Sequence, residues 1–162
     1  MPREALVKID NDIPFEHAAL FGCGVVTGVG AVINTANARE EDSVAIVGLG
    51  GVGLSALLAS LAVGSKKTIA IDLSDEKLTL ARELGADHTL NPKDENFLEE
   101  MRDLTFGGAN IAIETAGSGR ALETAYEITR RGGTTVAAGM PGPGVNITCL
   151  LYTSPSPRDH QP

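Results

Sequence analysis

Apolar positions along the chain follow two alternating periods. Five short β-branched or apolar runs read as strands: Ser43–Val47, Thr68–Ile71, His88–Leu90, Asn110–Ile113 and Thr134–Ala138. Between them the spacing opens to that of a helix. Leu54, Leu57, Leu58 and Leu61 fall at i, i+3, i+4 and i+7, which predicts one apolar helix face, with Gly64 as a left-handed cap beyond it. Ser74 predicts the N-cap of a second helix with Leu78, Ala81 and Leu84 turned inward and Gly85 at its end. Phe97, Leu98, Met101 and Leu104 mark a third. Ser118 predicts the cap of a fourth, which carries Ala121, Leu122, Ala125 and Ile128. Arg130 and Arg131 close it before Gly132 and Gly133, their charges suiting the negative helix end. Upstream, Val25, Val26, Val29, Val32, Ile33 and Ala36 form a further helical stripe, with His17 on a short helix before it. Met1 to Pro14 reads as an extended incoming segment.

Strand and helix alternating in this way bury both faces only as a mostly parallel sheet covered by helices on each side, so the fold class is α/β and doubly wound. A chain of 162 residues is long enough for one such core. Glycine, at 19 residues, is frequent, and aromatics make up 4%, so small-residue packing and tight turns are expected. The formal charge of −8, without a basic stripe, argues against nucleic acid or an anionic membrane as partner. The most apolar stretch, Val44–Gly64, is interrupted by Gly48, Gly50, Gly51, Gly53, Ser55 and Ser60. No run is expected to reach the roughly 18 apolar residues of a spanning helix. Two cysteines, Cys23 and Cys149, and the lack of a signal-like apolar segment in Met1–Asp12 point to a reduced, cytoplasmic setting.

The chemistry concentrates at Gly48-Leu49-Gly50-Gly51-Val52-Gly53, which follows the first strand and opens the first helix of the sheet. Gly48 permits the tight turn, Gly50 lets backbone approach a pyrophosphate, and Gly53 lets helix and strand pack closely. The free N–H groups and helix dipole there attract an anion without a lysine. Asp72 ends the second strand 72 − 53 = 19 residues beyond the last glycine, the spacing of a ribose-binding acid. Its carboxylate repels a 2′-phosphate by about 1 kcal/mol at 4 Å in water and about 4 kcal/mol at an effective dielectric of 20. Leu73 supplies no arginine to offset this, so the expected cofactor is NAD.

With Gly22-Cys23-Gly24-Val25-Val26-Thr27-Gly28 about 20 residues ahead of that fingerprint, the chain resembles the medium-chain dehydrogenases, and within them the zinc-dependent alcohol dehydrogenases. The similarity runs from Phe21 to Pro92, takes in the Leu84-Gly85-Ala86-Asp87 turn, and continues more loosely to about Met140. Its flavour is that of the class III, glutathione-dependent formaldehyde dehydrogenases. The resemblance implies a Rossmann sheet and hydride transfer between NAD and an alcohol or hemithioacetal adduct, with the aldehyde as the oxidised partner. Cys23 then matches a ligand of the catalytic zinc, and Thr27 a residue packing near the nicotinamide. Asp72 matches the ribose acid and Lys77 a neighbouring ribose contact. Val52, Thr115, Ala116 and Gly117 match positions lining the cofactor groove, with Ala138, Gly139 and Met140 on its nicotinamide side. Zinc in such a site holds two cysteines and a histidine and keeps one position open for the alcohol oxygen.

The family's other zinc ligands do not occur in this chain, and the sheet is expected to stop at about five strands of six. The expected organisation is the end of a catalytic domain and a connecting helix over residues 1–38, then an incomplete NAD-binding domain over residues 39–148. Cys149 to Asp159, CLLYTSPSPRD, resembles the in-frame translation of a sequencing-library adapter, so residues 149–162 are expected to be a non-native tail. On this reading the chain is an inactive fragment of a homo-oligomeric enzyme. A zinc-free reductase of the quinone reductase type, a non-catalytic nucleotide-binding module and a methyltransferase are the rival readings. His17, His88 and His160 have no spaced partner for a metal. The acidic clusters near Glu40 and Asp94 read as solvated surface. Glu114, at the end of the fourth strand, faces the cofactor groove or caps the helix at Ser118.

Overall fold

The computed structural model describes residues 7–148. Met1–Leu6 and the tail from Cys149, including His160, lie outside the described residues. Five strands, β1 (Ser43–Val47), β2 (Lys67–Ile71), β3 (His88–Leu90), β4 (Ala109–Glu114) and β5 (Thr129–Ala137), form one sheet in the order β3-β2-β1-β4-β5. Every pairing is parallel. The strand order reverses between β2 and β4 on either side of β1, which opens a crevice at the C-terminal ends of these strands.

Alternation along each strand divides the core into two layers. Val44 and Ile46 of β1 join Ala70, Ile111 and Ile113 on one face, while Ala45 and Val47 join Ile69, Ile71 and Ala112 on the other. Three helices cover the first face: α1 (Phe15–Thr35), α2 (Gly51–Val63) and α3 (Asp75–Glu83). The second is covered by α4 (Phe97–Thr105) and α5 (Gly119–Ile128). At the start of the central strands, the Ser43 hydroxyl donates to Asn110 Oδ1 at 2.7 Å and accepts from the Asn110 N–H at 3.0 Å. Buried hydroxyls of Ser60 and Thr68 satisfy each other at 2.8 Å between α2 and β2.

The caps follow their expected chemistry. Gly64 takes φ 76° after α2, with its N–H on Leu61 O and that of Ser65 on Ser60 O. Ser74 accepts from the Lys77 N–H at the head of α3, and Ser118 from the Ala121 N–H at the head of α5. His17 lies on the first turns of α1 and His88 opens β3, as expected.

Several inward faces differ from expectation. In α2 the buried stripe is Gly53, Ala56, Leu57 and Ser60, itself at i, i+3, i+4 and i+7, while Leu58 is 49% exposed. The helix lies against the sheet and α1 on its small residues, because these allow close backbone approach, and the leucines flank that contact. Leu84 follows the end of α3 and turns to solvent. Arg130 and Arg131 do not close α5: the helix ends at Ile128, and both arginines lie within β5. The β5 register jumps there. Ala109 pairs Thr129 but Ile111 pairs Thr134, so residues 130–133 bulge out, helped by Gly132 at φ 74°.

Helix α1 also departs from expectation. It contains π-helical turns at Phe21–Val25 and Ala31–Thr35. By length and composition it is apolar enough to cross a membrane, which no stretch was expected to be. Beyond Glu16 and His17 in its first turns the helix carries no ionisable side chain but Cys23, and Gly22, Gly24, Gly28 and Gly30 add little side chain. Its inward contact is with α2: a Cβ on Gly28 would lie 2.2 Å from Val52 O and 2.8 Å from Ser55 Cβ. Ala31 and Val32 continue the buried stripe, whereas Val26 and Ile33 face outward.

Candidate functional site

The glycine turn is built by its neighbours. The Gly48 N–H donates to Ile71 O at 2.8 Å, and Gly48 takes φ 96°. A Cβ there would meet Ala116 N at 2.7 Å, so both the conformation and the space require glycine. At Gly53 a Cβ would lie 1.9 Å from Gly48 O and 2.7 Å from Thr115 Oγ1. The Thr115 hydroxyl closes the same knot by donating to Gly48 O at 2.6 Å. Gly50 and Gly51 meet nothing within 4 Å, so their flank faces open space. That opening, at the N-terminus of α2 where N–H groups lack helical partners, is the kind of cradle a pyrophosphate fits.

Asp72 stands beside the turn. Its Oδ2 accepts from the Leu49 N–H at 2.7 Å and its Oδ1 from the Ser74 N–H at 2.9 Å. Lys77 Nζ sits 3.6 Å from Oδ2. An ionised carboxylate has about four acceptor positions, and two are filled by these backbone donors. The remaining two suit a pair of neighbouring hydroxyls.

Beside the turn and Asp72 lies a cleft of about 690 Å³. Gly48, Leu49, Gly50, Asp72 and Lys77 line one side of it, and Thr115 and Ala116 the other. Among the remaining expected groove residues, Gly51, Val52 and Gly53 enter α2 behind the turn, outside the lining. Gly117, at φ 69°, packs behind the wall, where a Cβ would lie 2.9 Å from Met140 O. Ala138, Gly139 and Met140 follow β5 and lie beyond the cleft, with Met140 89% exposed.

Cys23 and Thr27 are both exposed on α1 and do not enter the cleft. Helix α1 meets α2 in its first turns, at Val52 and Ser55, so both residues belong to the glycine-turn end of the molecule. Among the described residues no three His, Cys, Asp or Glu side chains are grouped to hold a metal ion. Cys23 alone is one donor where zinc needs three from protein, so the described residues do not by themselves make a zinc site.

Two basic cleft residues escape the sequence reading: Lys93, after β3, and Arg120, in the first turn of α5. The signal for both is positional, since each follows the C-terminal end of a strand, Lys93 after the edge strand β3 and Arg120 after β4, and ligands of this fold bind outside those ends. With Lys77 they make three basic side chains against the single acid Asp72 in the cleft lining, a positive balance in a chain of net charge −8. Glu114, left open between facing the groove and capping the helix at Ser118, does not cap that helix and stands behind the cleft lining at the end of β4. It is buried, and its carboxylate accepts from the Gly117 N–H at 2.6 Å.

Comparison with known proteins decides the family. The family model described as zinc-binding dehydrogenase matches residues 51–156. The chain belongs to the zinc-dependent medium-chain alcohol dehydrogenase family. It is 36% identical over 156 residues to S-(hydroxymethyl)glutathione dehydrogenase of Paracoccus denitrificans, covering 91% of this chain and 42% of that protein. It is 38% identical over 146 residues to geraniol dehydrogenase of Castellaniella defragrans, covering 90% and 39%. Among solved structures, benzyl alcohol dehydrogenase of Acinetobacter calcoaceticus superposes with a TM-score of 0.84 at 35% identity, covering 90% of this chain and 40% of that one. The chain therefore spans about two fifths of the length of the relatives it matches.

Proposed function

We propose that this chain is the dinucleotide-binding part of an oxidoreductase that moves a hydride between an alcohol and NAD with zinc assistance. The observation that carries the reading is Asp72, bound to the N–H of Leu49 inside the glycine turn and lining the cleft beside it. In this reading Gly48, Gly50 and the N–H groups heading α2 receive the pyrophosphate, and Asp72 with Lys77 takes the adenosine ribose. Thr115 and Ala116 form the opposite wall with Gly117 packed behind it, and Ala138, Gly139 and Met140 border the nicotinamide side.

NAD, when bound, supplies the ring carbon that accepts the hydride. The chain's own contribution is binding and orientation: the turn fixes the phosphates, Asp72 fixes one ribose, and the second nucleoside then extends over the ends of β4 and β5. Cys23 is proposed as one zinc donor, to be completed from outside this chain, with Thr27 one helical turn away. The proposed organisation remains residues 1–38 as the end of a catalytic domain and residues 39–148 as the cofactor domain, with residues 149–162 as a non-native tail. The longer protein is proposed to be a cytoplasmic homo-oligomer acting on a small alcohol or aldehyde.

The test is a titration of the chain with ADP-ribose and NADH, followed by calorimetry and by NADH fluorescence. Saturable binding that Asp72→Ala weakens at least tenfold, with NADPH several-fold weaker than NADH, is the expected outcome. A folded chain that binds neither ligand overturns the reading. For zinc, metal analysis of the longer protein and of its Cys23→Ser variant should show one catalytic ion lost on substitution.

A further inference from the structure

Glu114 is a buried carboxylate without a cationic partner. It is 1% exposed, and among the described residues the one ion pair within 4.0 Å is that of Lys77 with Asp72. Burying an unpaired charge is costly, and buried carboxylates are normally matched by a cation or a metal. Its position is fixed from several sides. In register it stands opposite Val47 of β1 and Ala137 of β5, level with the last residue before the glycine turn. Its carbonyl accepts from the N–H groups of Ala138 at 2.8 Å and Gly139 at 3.0 Å. Its side chain accepts from Gly117, and a Cβ on Gly139 would lie 2.6 Å from its Oε2. The carboxylate is therefore clasped between the loop after β4 and the loop after β5.

We infer that Glu114 is a specificity-determining residue that biases the cofactor groove toward the oxidised, cationic nicotinamide over the reduced, neutral ring. The inference rests on the dinucleotide reading proposed above. With one ribose at Asp72 beyond β2 and the pyrophosphate at the turn after β1, a dinucleotide crossing the switch point brings its second nucleoside over the ends of β4 and β5, where Glu114 is held. The two redox states of the ring differ by one positive charge. A carboxylate buried in a poorly screened site favours the charged state, and the bound ring is the cation this carboxylate otherwise lacks.

The experiment measures dissociation constants of NAD+, NADH and ADP-ribose for the full chain and for Glu114→Gln, Glu114→Ser and Glu114→Asp. The two neutral variants are expected to raise the ratio of the NAD+ constant to the NADH constant at least threefold, with ADP-ribose affinity unchanged. Glu114→Asp keeps the charge and the wild-type ratio. A merely structural role would shift all three ligands together. Glu114→Ser serves where Glu114→Gln does not fold, as judged by thermal melting. An unchanged ratio in a folded neutral variant overturns the inference, as does equal wild-type affinity for all three ligands or loss of folding in both neutral variants. Failure of the wild-type chain to bind ADP-ribose overturns the dinucleotide reading itself.

Discussion

The Leu49 N–H donates to Asp72 Oδ2 at 2.7 Å, tying the middle of the glycine turn to the end of β2. One carboxylate thus organises the turn that is proposed to hold phosphate and presents the acceptors proposed for ribose. Asp72→Asn keeps one acceptor oxygen and loses the charge. Stability should fall by about 1 to 2 kcal/mol as one of the two charge-assisted bonds is weakened or lost. Thermal melting reads that change, and NADH titration should show affinity down roughly tenfold, or about 1.4 kcal/mol.

Two glycines of the same turn should respond in opposite ways to alanine. At Gly53 the new methyl group would strike Gly48 O and Thr115 Oγ1, and overpacking against backbone costs about 3 kcal/mol or more. At Gly50 it meets open space at φ −81°, so stability should stay within about 0.5 kcal/mol of wild type. Gly50→Ala should nevertheless weaken ADP-ribose binding, because the methyl group occupies the proposed pyrophosphate cradle. Urea unfolding and ligand titration of the two variants separate the effects.

Along α1 the glycines are not equivalent. Gly28→Ala drives a Cβ into Val52 O and Ser55, and should destabilise by about 2 kcal/mol or more as the helices are pushed apart. Gly24 meets nothing within 4 Å, so Gly24→Ala should be neutral or stabilising by up to about 1 kcal/mol through helix propensity. Comparing the two melting temperatures checks the contact.

Adjacent leucines of α2 offer a sharper contrast. Leu57 is fully buried, and Leu57→Ala should cost about 3 kcal/mol. Leu58 is half exposed, and Leu58→Ala should cost less than about 1 kcal/mol. Denaturant midpoints at equal slope would show the difference.

The strands were legible because each buried run is short, β-branched or apolar and bounded by polar residues or glycine. Four of the five predicted starts lie within one residue of those observed, and β5 starts earlier, at Thr129. The caps at Ser74 and Ser118 were legible because their chemistry is local. The inward face of α2 was legible in part: Leu57 is buried and Leu54 and Leu61 pack half-buried against the core, while Leu58 turns outward. Hydrophobic spacing favours the leucines, but close approach to the sheet and to α1 selects Gly53, Ala56 and Ser60. The end of α5 was misread for a related reason: Arg130 and Arg131 suit a helix terminus locally, while pairing with β4 draws Thr129 into a strand. Lys93 and Arg120 are far apart in sequence, and strand order brings both to the cleft. Glu114 stayed ambiguous because its partner, the Gly117 N–H, is a backbone group that no side-chain pattern reveals.

The Gly28 contact has a mechanical consequence for the outer end of α1. Because backbone rests on backbone there, α1 is referenced to the turn-bearing helix without an intervening flexible side chain. Cys23 lies five residues away, about 7.5 Å along the axis at 1.5 Å per residue. The thiol is thus carried on a short, stiff arm hinged to the glycine turn. Changes in whatever packs on the outer face of α1 alter the surroundings of that sulfur more readily than its distance from the turn.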